Sequence, residues 1–485
     1  MKYWNHIKMI AMGASLVLLF SLTSCGDGRQ GTESDKDVMD IMEESNVSIT
    51  DTSSASDTTE NINEWDISTG FLIISDDGTY RVTGSTESYN ISIASGNPTV
   101  ILDNVNIDLS ESEDACAFLI GTDAGNVTVK LAGTNTLTSS GYCAGLQKDS
   151  PGKSALTITS LLGDNEISGE LKATGGKYDG SGIGGGKEGN ADNITIAGGT
   201  IEASSGSHWS SGGAGIGPGS KGTTSNITIS GGNITAMSRR NAGIGGGDGN
   251  ITVSGGTVST TGGANGYGGI RIEKGCIDIT GGSVNATGPA REDDYGDAIS
   301  GGDESVITIS GGNVNATGYG YDEYYAGYQG GNGIIVGNNG KIIISDGTIV
   351  ATGDRGGTAI GCEQFCTGVS ITISGGNVLA TAEYGAGIGA SYKDNDNLSY
   401  QDSTANAIEI SGGMVTASGA VGLGTRDEHP WNISINPESG CQITAQAGDN
   451  ASGSGAVNVS GSPFSSKQDI TNFVLEKAFF RSLAE

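Results

Sequence analysis

Short runs of alternating apolar and polar residues fill the chain from about residue 190, and one phrase keeps returning in them. Asn193-Ile-Thr-Ile-Ala-Gly-Gly-Thr-Ile-Glu-Ala is followed by Asn226-Ile-Thr-Ile-Ser-Gly-Gly-Asn-Ile-Thr-Ala. Further copies begin at Ile251, Ile277, Ile307, Ile342, Ile371 and Ile408. The first glycine of each pair stands at 198, 231, 255, 281, 311, 375 and 412, with Asp346-Gly347 in the remaining copy, so the step varies from 24 to 37 residues. A variable step with a constant phrase means constant strands joined by loops of different length.

Period-two alternation on both sides of the glycines predicts two strands per copy. Ile307, Ile309, Val314 and Ala316 are expected inside, and Thr308, Asn315 and Thr317 outside. A third short apolar element, as in Ala242-Gly-Ile-Gly and Ala386-Gly-Ile-Gly, completes a turn. One such turn cannot bury its own aliphatics. Stacked turns, ~4.8 Å apart in parallel sheets, can. The predicted fold is therefore all-β: a right-handed parallel β-helix, a solenoid with Gly-Gly corners. Amphipathic helices are excluded, because every window would carry Gly-Gly at its centre.

The flanks read differently. Residues 65–185 are predicted to be the N-terminal cap and first coils, with Phe71 to Val82 as a hairpin and strands at Thr99, Val127 and Leu156. Regular coils follow over 186–462. Residues 463–485 are expected to form a helical cap from Ile470 to Leu483, with Asp469 as its N-cap. At the other end, Lys2 and Lys8 flank an apolar stretch from Met9 to Leu22, too short to span a bilayer comfortably. It ends in Leu22-Thr23-Ser24-Cys25, which looks like a lipobox. Residues 1–24 are thus read as a signal peptide, Cys25 as the lipidation site and the chain as anchored in the cell envelope outside the cytoplasm. Residues 25–64 read as a disordered acidic tether, too poor in large apolar side chains to offset the entropy of ordering.

Composition sharpens this picture. Glycine accounts for 85 of 485 residues, as a corner-rich fold with a thin core requires. The formal net charge is -31. Such a surface disfavours nucleic acid and anionic membrane faces, leaving the lipid as the only membrane contact, and favours cations.

The repeats Ile-Thr-Ile-Ser-Gly-Gly-Asn-Val-x-Ala-Thr-Gly with Gly-Ala-Gly-Ile-Gly, the opening Ile74-Ser-Asp-Asp-Gly-Thr-Tyr-Arg-Val-Thr-Gly and Leu131-Ala-Gly-Thr-Asn-Thr-Leu resemble a clostridial-type surface β-helix family of carbohydrate-binding domains. The resemblance covers roughly residues 65 to 460 and is carried mostly by folding signatures. It implies a pectate-lyase-like fold and binding of cellulose or acidic plant polysaccharide with calcium.

In a solenoid, long loops on one side are the usual functional face. The longest run from Gly288 to Gly302, Gly318 to Gly333 and Ala382 to Ala407. Adding one 30-residue step to Glu292, Asp293, Asp294 and Tyr295 gives Asp322, Glu323, Tyr324 and Tyr325. Acid would stack on acid and tyrosine on tyrosine, about 5 Å apart. Carboxylates that close repel unless a cation bridges them, and Ca²⁺ is a natural bridge. Asp394, Asp396 and Asp402 form a second candidate calcium loop, without the glycine and terminal glutamate of an EF-hand. Tyr295, Tyr319, Tyr321, Tyr324, Tyr325 and Tyr328 would offer rings and hydroxyls to a sugar. Trp209 beside His208 is a further stacking candidate.

Catalysis has thinner support. A lyase would need calcium and a basic residue, for which Arg291 and Arg355 are the candidates. His208 and His429 are isolated and read as surface residues. An outward threonine row at 195, 228, 252, 308 and 372 is interrupted by Asp278, Ile343 and Glu409, which argues against ice binding. Cys116 and Cys143 are one coil apart and suited to a staple, Cys362 and Cys366 to a small closed loop, and Cys276 and Cys441 have no evident partner. The expectation is a monomeric, non-catalytic, calcium-assisted polysaccharide binder. The alternatives are a calcium-dependent lyase or a structural adhesin.

Overall fold

The computed structural model describes residues 61–148, 154–206, 208, 212–264, 267–289, 296–323, 327–363, 365–391, 406–424, 431–435, 442–447 and 473–476. They lie in the compact unit Glu60–Glu485. Parallel strands stack into one sheet of 24 strands and one of 13, with a separate two-stranded sheet. Each coil runs through two strands of the large sheet, bends at the glycine corner between them, then crosses to a short strand of the smaller sheet. The fold is the expected right-handed parallel β-helix.

The interior is a set of aliphatic rows, one residue per coil. Ile194, Ile227, Ile251, Ile277, Ile307 and Ile342 pair in sequence along the first strands. Ile183, Ile216, Ile244, Ile270 and Ile299 do the same along the short strands. All of these, with Ile309, are wholly buried. Each buried aliphatic contributes roughly 1.5–3 kcal/mol relative to exposure, so the rows hold the coils together.

The glycine pair has an asymmetric role. Its second member is left-handed in every copy, with φ of 87° at Gly199, 82° at Gly312 and 81° at Gly413. The copy that departs from Gly-Gly, Asp346-Gly347, keeps the glycine at this second place, where φ is 103°. The irregular copy thus preserves the residue that the corner needs.

Two expectations are corrected. Phe71 to Val82 is not a hairpin. Leu72–Ile74 pairs in parallel with Ile91–Ile93 in the small sheet, while Thr79–Thr86 pairs in parallel with Ile62–Asp66 and Thr99–Asp108 in the large one. The Asp76-Asp77-Gly78 turn is a coil corner: Asp76 accepts from the Gly78 amide at 2.8 Å, and Asp77 accepts from the Asn97 amide of the next coil at 2.7 Å. A local turn signal reads the same whether the chain folds back or moves on to the next face. The C-terminal helix is also corrected: Phe473–Glu476 is a strand, paired in parallel with Gln442–Ala447. It adds a further strand to the large sheet.

Cys116 and Cys143 join neighbouring coils with Cα atoms 5.2 Å apart, and Cys362 joins Cys366 at 6.4 Å. Cys276 is free. Cys441 and the lipidation candidate Cys25 lie outside the described residues.

Candidate functional site

The loops that leave the second strand of each coil and lead to the short strand stack into a column along one corner. Backbone bonds tie each loop to the previous one: the Tyr178 amide donates to the Gly141 carbonyl at 3.0 Å, and the His208 amide to the Lys177 carbonyl at 2.9 Å. This ladder carries side chains into a stack. The rings of Tyr142 and Tyr178 lie 5.1 Å apart, and those of Tyr178 and His208 5.2 Å apart. Both separations match the spacing of adjacent coils, ~4.8 Å. Lys187 caps Tyr142 with its ammonium 4.5 Å from the ring centre, and Lys177 stands 5.8 Å from that of Tyr178. Tyr142 and Tyr178 are exposed, at 37% and 36%. Two exposed rings, the half-buried ring of His208 and two exposed cations therefore share one corner on a rigid support, in a chain whose net charge is -31.

The same column contains the sequence candidates. Tyr319 is half-buried and bridges antiparallel to Gly296 of the preceding coil. Tyr321, Asp322 and Glu323 form a strand that pairs antiparallel with Gly327–Gln329, placing Asp322 opposite Tyr328. The loop thus rises as its own hairpin, and the main-chain partner of Asp322 is within that loop. Glu292, Asp293, Tyr295, Tyr324, Tyr325, Asp394, Asp396 and Asp402 lie outside the described residues, as do Arg291, Trp209 and His429. Among the described residues no group of three or more His, Cys, Asp or Glu side chains could hold a metal ion.

Beneath these loops runs a buried polar chain. Asp297 accepts from the Asn332 side chain at 2.7 Å, Asn332 accepts from the Thr358 amide at 2.8 Å, and the Thr358 hydroxyl donates to the Ala386 carbonyl at 2.8 Å. Four successive loops are fastened at their base in this way. Burial, helped by nearby Glu363, pushes the Asp297 carboxyl up to about 6, against the opposing pull of Asn332 and Arg271. Further along the axis, burial lowers the pKa of Lys148, and the charge of Asp192 offsets part of that.

Sequence reasoning named His208 but missed Tyr142, Tyr178, Lys177 and Lys187. A signal was present. Thr138, Thr174 and Ser204 are register partners, and counting four residues on from each gives Tyr142, Tyr178 and His208. The register of these less regular coils was the missing piece.

The chain matches a family described as Beta helix repeat at residues 194–220, 227–248, 277–303, 307–334 and 371–392. No curated protein and no solved structure matches it.

Proposed function

We propose that this β-helix is a lipid-anchored, extracytoplasmic protein that binds polysaccharide without chemical turnover, along the corner occupied by Tyr142, Tyr178 and His208. The supporting observation is the exposed ladder itself, with ring centres 5.1 and 5.2 Å apart on successive coils. Aromatic edges and exposed face area receive the C–H surface of a pyranose, and tyrosine hydroxyls bond its rim. A sugar chain running along the axis meets a ring on each of three successive coils. Lys177 and Lys187 add positive charge where a uronate carboxylate would lie. Ca²⁺, the hard cation that stacked carboxylates favour, joins the reading through the acidic loops around residues 292–293 and 322–323.

The test is a glycan array probed with the full-length chain, with and without EGTA, beside the variant Tyr142→Ala/Tyr178→Ala. Binding to at least one plant or cell-wall polysaccharide is expected, with at least tenfold loss in the double variant and weakening by EGTA. A blank array in both conditions overturns the proposal. Binding that survives EGTA removes calcium from it and leaves the ladder.

A further inference from the structure

Charge is distributed unevenly over this solenoid. The second strands of seven consecutive coils, from Asn233–Met237 to Met414–Gly419, present three outward positions each. None of the twenty-one carries a charge; they are threonine, asparagine and serine with Met237, Val350, Leu379 and Met414. At the chain's 16% charged content about three charges would fall there by chance, and outward positions carry more than the average share. The two coils before this stretch do carry charge on the same face: Glu170 and Lys172 on one, and Glu202 on the next, with Lys172 and Glu202 paired at 2.9 Å. The face also holds three of the exposed large apolar side chains, Met237 at 38%, Leu379 at 42% and Met414 at 48%.

We propose that this face docks a second copy of the same chain. A basic partner would reward acid here, and repulsion between like charges on adjacent coils does not by itself empty the face, since the preceding coils keep charge by pairing Lys172 with Glu202. A partner of equal charge, -31, requires their removal. Threonine hydroxyls and asparagine amides both donate and accept, so the surface is complementary to itself, as an isologous two-fold contact demands. Asn285 and Asn315 already show such pairing within one chain, amide to amide at 2.9 Å. The size is adequate for a weak dimer. Seven strands ~4.8 Å apart, each five residues of ~3.3 Å, give about 550 Å² per copy and about 1,100 Å² in all, just past the ~1,000 Å² that a biological interface should clear. With no ion pairs in the contact, salt acts only on the repulsion between the two bodies, so association strengthens as salt rises. This inference is independent of the sugar-binding proposal.

Sedimentation velocity of the full-length chain at low and at molar salt tests it. The chain is expected to be mostly monomeric at low salt and mostly dimeric at molar salt. Asn315→Lys and Leu379→Lys, both at exposed positions, are expected to stay monomeric in both while keeping the circular dichroism and melting curve of the parent. Thr308→Lys, on the neighbouring first-strand face, is expected to dimerise like the parent. A parent that stays monomeric at molar salt overturns the proposal. So does a dimer that persists in Asn315→Lys, or one that Thr308→Lys abolishes equally.

Discussion

Single residues show where this fold departs from its own rule. Asn135 sits among aliphatics, wholly buried, and is accommodated because it is bonded on all sides. It accepts from the Val105 amide at 2.9 Å and donates to the Ala132 and Glu170 carbonyls at 3.0 and 2.9 Å. Thr260 stands between Ala236 and Ala286 in an inward row, and its buried hydroxyl has no hydrogen-bond partner among the described residues. Asp297 is the most consequential exception, since its carboxyl titrates at about 6 in the folded chain. That value lies above the ordinary 3.8, so the stability linked to its protonated form is present below pH 3.8 and lost as pH rises through 6. The loss amounts to about 3 kcal/mol by pH 7. Asp297→Asn keeps the acceptor for Asn332 and removes the charge. In denaturant titrations the variant is expected to be more stable than the parent at pH 7, with the difference shrinking toward pH 4. An equal gap at both pH values would contradict the assignment.

At the scale of the strand and corner, the repeat phrase was legible because its period is strict on either side of the glycines. Ile307, Ile309, Val314 and Ala316 all face inward as alternation requires. The hairpin and the C-terminal helix were misread for one physical reason. Neither a turn signal nor a short apolar run carries its own context: the first cannot say whether a strand's partner lies next to it or one coil away, as it does in the two stacked sheets, and the second cannot tell helix from strand. The second glycine of the corner carries the strongest local constraint. At Gly312 φ is 82°, and a methyl group there would sit 2.7 Å from the Gly282 carbonyl oxygen. Left-handed backbone costs a residue with a Cβ roughly 1–2 kcal/mol, and crowding against the neighbouring coil adds to it. Gly312→Ala is therefore expected to lower the melting temperature clearly. An unchanged melting curve would show that the corner tolerates a side chain.

For the molecule as a whole, function follows from translation. Because each coil repeats the last at a fixed rise, any side chain placed on one loop is copied into a row, whether aromatic, as at Tyr142 and Tyr178, or uncharged, as on the second-strand face. The predicted site was only partly legible because loop lengths change the count. The step is 30 residues from Thr287 to Thr317 but 35 from Ile299 to Ile334, so addition works at the start of the loop and fails by its end. The large acidic excess was legible from composition, whereas its exclusion from one face needed the register.

That register underlies every row described above, and engineered cysteines measure it directly. Asn285 and Asn315 are partners on adjacent coils, and Asn315 is in turn the partner of Val350. Adjacent coils place Cα atoms ~4.8 Å apart, within disulfide reach, and two coils place them ~9.6 Å apart, beyond it. Under mild oxidation, with peptide mass mapping, Asn285→Cys/Asn315→Cys is expected to form an intramolecular bridge and Asn285→Cys/Val350→Cys to remain reduced. A bridge in the second pair, or none in the first, would contradict the coil register.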